Sequence, residues 1–345
     1  MKLRSLLIGV ISVAIGVALI ILLVRVGHID VRATLSQLRH VKRIVFVKLV
    51  LLTGFHVFLS DQRWRSIDAV MRSTSDSVPP RTASFTVTSV GVVLGQILPV
   101  QVSMTAARTL GTHFYGRAVK RGTVGTLFEQ SFDVLIAGLL VGASAITRYR
   151  RGGAVMWLAC AATMVLAGLL LAGPAVAVVR RIAAAYAARN ATTKSRILRC
   201  LSELGHSGLL DASLARRLAM LSVIRFVVII LMVGQTTKAI EAHIPLWHLA
   251  AAMPFVVVSC ALAISPGGLG IGELTYATAL NLFGTPLAVA APWSLASRVL
   301  VTASCLVVAA FAVTLRCCLW AARKARSPLG TVPPAQRLTT PVEHA

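Results

Sequence analysis

Apolar runs of membrane-crossing length recur along this chain, and they constrain its fold more than any other feature. They fall at about 6–24, 43–60, 84–98, 124–146, 154–178, 218–236, 246–264, 269–284 and 293–315. A helix needs about 20 such residues to cross a hydrocarbon core about 30 Å thick. A single soluble core has no use for so many, and 57% apolar content with only 13% charged residues exceeds what a soluble domain carries. The expected fold is an all-α, multi-pass integral membrane protein of about seven to nine hydrophobic segments. The first run is longer than a signal peptide's apolar region and has no small-x-small site before Arg25, so it reads as a retained span.

The 345 residues hold 35 Lys and Arg against 11 Asp and Glu, a formal charge of +24. In a soluble protein that balance would point to nucleic acid. Here the basic residues gather in the connections, where they hold loops on the cytoplasmic side and meet anionic head groups, so no nucleic-acid partner is expected. Residues 180–217 carry eight Lys and Arg against Glu203 and Asp211 and are the first choice for a cytoplasmic loop. Residues 61–83 form a second polar connection. The segment after the first run spaces Ile29, Leu35 and Leu38 among Arg32, Arg39 and Lys42 as an interfacial helix would. A basic, proline-rich tail at 323–345 is expected to be disordered. Six cysteines show no metal or redox spacing, so neither metal nor cofactor is expected.

A charge at the bilayer centre costs about 2.5–3.5 kcal/mol on insertion scales, so each one retained there needs a partner or a task. Three acids fall within apolar runs: Glu129, Asp133 and Glu273. Glu129 and Asp133 are four apart and share one helical face, with Gln130 beside them. Arg225 and Arg298 are the buried bases that can pair with these acids. The bland alternative is that such pairs only lock helices together; the functional one is a polar cavity for a charged head group.

Residues 265–273 read SPGGLGIGE. Pro266 lacks an amide donor, and Gly267, Gly268, Gly270 and Gly272 make a continuous helix costly, so the helix breaks here and resumes near Ile271. Broken backbone is tolerated in a membrane only where it lines a cavity or is packed in protein. Glu273 then occupies the first turn of the resumed helix, whose amide end carries about half a positive charge. Laying Pro99 on Pro266 places 97–110 over 264–277, and Gln130 falls one place from the position matching Arg298. Two short, proline-broken segments in corresponding halves, about 1–150 and 151–322, are a pointer to a midplane site built from structural repeats.

These features resemble the transmembrane, flippase-like domain of the lysylphosphatidylglycerol synthase family, in its stand-alone form. The likeness rests on Arg63–Trp64 after the second span, on Leu98, Pro99 and Arg108, on Glu129 and Asp133, and on Arg298 in the last span. A late Pro-Gly-Gly-x-Gly-x-x-Glu is matched in full by Pro266, Gly267, Gly268, Gly270 and Glu273. Val100, Gln101, Ser103 and Thr105 replace the family's small and acidic residues, and Gln130 stands where it usually has Arg. The resemblance implies translocation of a lipid or lipid-linked amphiphile between leaflets of a bacterial inner membrane. The alternative is a non-catalytic membrane subunit that holds a lipid- or glycan-modifying enzyme. No HExxH or GxSxG is present, so no catalytic residues are expected.

Overall fold

The computed structural model describes residues 14, 16–27, 29–72, 78–114, 119–189, 209–262 and 265–326. The described residues are helical with no strand. The helices are α1 (Gly16–Val26), α2 (Val31–Arg39), α3 (Arg43–Met71), α4 (Arg81–Leu94), α5 (Val100–Phe114), α6 (Val119–Tyr149), α7 (Ala154–Arg189), α8 (Ala212–Ala239), α9 (Leu246–Leu262), α10 (Ile271–Leu282) and α11 (Leu287–Arg326), with a 3-10 turn at Pro266–Gly268. Five of them, α3, α6, α7, α8 and α11, are long and apolar enough to cross a membrane. The chain is therefore a multi-pass integral membrane protein, as its sequence pattern predicts.

The helices outrun the apolar segments that announce them. α3 continues to Met71, so the first eleven residues of the expected polar connection at 61–83 are helix, and Asp61, Arg63, Trp64 and Ser66 are buried in it. α7 runs on to Arg189 and α8 begins at Ala212, so 180–217 is a loop only in part; 190–208 lie outside the described residues. α11 extends to Arg326, and 327–345 likewise lie outside. The expected interfacial segment is α2, nine residues long.

α3 and α8 pack side by side and antiparallel. Ile67, near the end of α3, shares a cluster with Leu214, Leu218 and Ala219 from the start of α8. Leu49 and Leu59 cluster with Val228, Met232 and Ala239 farther along α8. This fixes two ends of the bundle, an Arg43 end and a Met71 end. α4 and α5 form a tight hairpin that enters from the Met71 end. A Cβ on Gly91 would lie 2.8 Å from the Met104 sulfur and one on Gly111 3.0 Å from Val87, so these glycines let the two arms touch. α9 and α10 form a second hairpin that enters from the Arg43 end, closed there by His248 Nδ1 and Thr285 Oγ1 at 2.7 Å. Each hairpin turns over inside the bundle instead of crossing it.

A shift of 167 residues, the separation of Pro99 and Pro266, lays α3 on 210–238 and α6 on 286–316, which are α8 and the first part of α11 within a few residues. The two halves thus present helix, broken hairpin and helix in the same order and from opposite ends. α7 lies outside this pairing. It packs on α6 and α8, and only 11% of its apolar window is buried, which leaves Leu158, Leu166, Leu170 and Val178 facing outward.

Candidate functional site

The two hairpin tips meet. α4 ends at Leu94, the chain turns through Gly95–Gln96–Ile97–Leu98, and α5 starts after Pro99. Across from it, Gly267, Gly268 and Gly270 adopt φ of 57°, 69° and 79°, the left-handed region that glycine enters without penalty. The close approach forbids a side chain as well. A Cβ on Gly267 would stand 2.3 Å from the Gln96 carbonyl oxygen, and one on Gly270 would stand 2.5 Å from the Gly16 carbonyl oxygen of α1.

Arg298 joins the tips. From α11 its Nη2 donates to the Gly267 carbonyl at 2.7 Å and to the Gln96 carbonyl at 3.1 Å. Broken helices leave such carbonyls without intrahelical donors, and in a membrane the protein itself has to supply them. Arg298 Nε lies 3.7 Å from Glu273 Oε1, and Glu273 Oε2 accepts the Gly270 amide at 2.7 Å. Glu273 thereby caps α10 and neutralises Arg298 in one position, 3% exposed. Its place in the first turn of a helix resuming at Ile271 is as the sequence indicates. Beside the pair opens a cavity of about 240 Å³ lined by Glu273, Arg298 and apolar side chains including Ile20, Leu38, Leu269 and Leu295.

A second network lies between α3, α5, α6 and α8. Arg63, fully buried, donates from Nη1 to Asp133 Oδ1 at 2.8 Å and from Nη2 to the Glu129 carbonyl at 2.6 Å. Arg108, 1% exposed, pairs with Glu129 and donates to the Ser60 carbonyl at 3.2 Å. Its guanidinium lies over the Trp64 ring, 5.0 Å from the centroid. Arg225 pairs with Asp133. Glu129 and Asp133 do share a face, and each carboxylate is held by two arginines. Their partners are Arg63, Arg108 and Arg225, while Arg298 serves Glu273 alone.

Three participants are not legible as such in the sequence: Arg63 and Trp64 stand there only as part of the family resemblance, and Asp61 falls in an expected connection. Asp61 is 3% exposed and accepts the Ser84 hydroxyl of α4. The signal was available in the spacing: 56, 60, 63, 64 and 67 continue one face of the helix past the end of the apolar run, and His56, Ser60, Arg63, Trp64 and Ile67 are all buried.

The two hairpins carry ion pairs of opposite polarity. Arg108 of α5 faces Glu129 of α6, whereas Glu273 of α10 faces Arg298 of α11. With the 167-residue shift the paired positions agree to within two residues. Among the described residues there is no cluster of three or more His, Cys, Asp or Glu placed to hold a metal ion.

No curated protein and no solved structure matches the chain. A family model does, over residues 9–309, and it covers α1 to α10 with most of α11. The chain belongs to the family of the lysylphosphatidylglycerol synthase TM region.

Proposed function

We propose that this protein moves a lipid or lipid-linked amphiphile between leaflets, and that the head group passes the junction of the two broken hairpins. The observation that carries this reading is Arg298 bridging Gln96 and Gly267, because it joins two segments that enter from opposite ends of the bundle. Broken helices at the midplane are how transporters aim backbone dipoles at a substrate. The cavity beside Glu273 supports an amphiphilic substrate, since apolar walls suit a tail while the ion pair can exchange partners with a charged head. The work is binding and release, without covalent chemistry and without a cofactor.

In this reading Arg298 releases one tip as a head group competes for its guanidinium, and the hairpins then part on one side. The protein lies in a bacterial cytoplasmic membrane with the Met71 end toward the cytoplasm. Arg180, Arg181, Arg216, Arg217 and Arg316 belong to that end and follow the positive-inside bias, while Arg32, Arg39, Arg148, Arg150 and Arg151 at the Arg43 end run against it. The test is a leaflet-resolved assay of labelled lipids in reconstituted vesicles. Wild type accelerates exchange and Glu273→Ala slows it toward the protein-free rate; equal rates for the two would sink the proposal.

A further inference from the structure

Where α3 ends and α4 begins, two adjoining recesses of about 190 and 20 Å³ open at the Met71 end. The larger is walled by Arg65 and Arg72, the smaller by Arg108, and both share Trp64, Asp68, Pro79 and Ser84. The shared walls place them side by side, with Arg72 on the outer one and the buried Arg108 on the inner one.

Two guanidinium nitrogens at the larger recess lack an acceptor among the described residues. Arg65 Nη1 and Arg72 Nε are buried atoms with no hydrogen-bond partner, although Arg72 Nη2 donates to Asp68 at 3.0 Å. A guanidinium N–H withdrawn from water without an acceptor costs more than its neutral counterpart. α4 adds to this, because it starts at Arg81 with no side-chain cap and its amide end is partly positive.

We infer that this recess is a phosphate site, which takes the phosphate ester of a head group at the membrane surface ahead of Arg108. Arg65 and Arg72 are seven residues apart, two helical turns, and so present their forks on one face. Planar guanidinium forks match tetrahedral oxyanions through paired N–H donors. Trp64, under Arg108, forms the wall between the rim and the buried network. The site does not depend on translocation at the hairpin tips, and its test reads binding alone.

The experiment is native mass spectrometry of the purified full chain with phosphatidylglycerol and with diacylglycerol of the same acyl chains. Phosphatidylglycerol is retained and diacylglycerol is not. Arg65→Gln with Arg72→Gln weakens retention by about tenfold or more, the scale of lost charge-assisted hydrogen bonds. Ala69 is exposed at the rim, so Ala69→Trp fills the recess without touching an ion pair and produces the same loss even if the arginine variant folds poorly. Added inorganic phosphate separates the two sources of the group: displacement of the lipid shows that phosphate alone suffices, and failure to displace shows that the tails contribute. Equal retention of diacylglycerol, or undiminished lipid retention by Ala69→Trp, overturns the assignment.

Discussion

Arg298 holds the Gly267 carbonyl at 2.7 Å with the same nitrogen that reaches Gln96, so one side chain on α11 ties together loops about 170 residues apart in sequence. Gly267→Ala should break that arrangement twice, by placing a Cβ on a left-handed residue and by driving it into the Gln96 carbonyl. The left-handed conformation alone costs about 1–2 kcal/mol. Thermal unfolding in detergent should show a clear loss for Gly267→Ala and almost none for Gly153→Ala, where a Cβ meets nothing within 4 Å.

Glu273 and Arg298 act as a unit. Each single change, Glu273→Gln or Arg298→Gln, leaves a partner unpaired beside an apolar cavity, and the double change removes both charges. A double-mutant cycle on unfolding should therefore return a coupling of about 1–3 kcal/mol. Additive losses would mean that the 3.7 Å contact is incidental.

Glu129 is the more demanding position, because both Arg63 and Arg108 approach it. Glu129→Gln should cost about 3–5 kcal/mol, the range for removing one member of a buried pair. Pairing Glu129→Leu with Arg108→Met should recover part of that loss, measured by the same unfolding transition. Asp133→Asn should be milder, since its side chain and that of Arg225 keep some exposure.

Trp64→Leu keeps an apolar side chain but removes the ring under Arg108. The expected loss is about 0.5–2 kcal/mol, the range of a cation–π contact. If Trp64→Phe recovers about half of it, the ring face and not its volume is responsible.

Asp211, ahead of α8, is open to water and caps the helix. The Ser213 hydroxyl, then the Leu214 amide, hold its carboxyl below the ordinary 3.8. The folded state therefore binds the proton less readily than the unfolded one. Stability from this cap is present above pH 3.8 and is lost as the pH falls through the lowered folded value. An unfolding series from pH 6 down to pH 3 should show wild type losing its advantage over Asp211→Ala at the acid end. A constant gap would contradict the assignment.

How much was legible depended on whether a residue contrasts with its surroundings. Glu129, Asp133 and Glu273 stand out against apolar runs, and Pro266 with its glycines breaks helix propensity, so the buried acids and the second hairpin tip could be found. The first tip has no comparable glycine cluster, and Pro99 alone marked it. Asp61 and the contacts of Arg63 are hidden because polar residues in a row look like a loop, although α3 continues through them and buries both side chains. Partner choice was out of reach: Arg63 meets Asp133 seventy residues away, and only packing of α3 against α6 decides that.

Under the proposed translocation, the opposed ion-pair polarities of the two hairpins bear on direction. A scaffold whose halves are laid head to tail looks alike from either side of the membrane, so its backbone cannot favour inward over outward traffic. In that reading the side chains can, because the arm that enters from the Met71 end carries an arginine, Arg108, and the arm that enters from the Arg43 end carries a glutamate, Glu273. A vectorial bias of the proposed transport would therefore be written in which arm bears the acid, and exchanging the members of one pair is the smallest edit that would erase it.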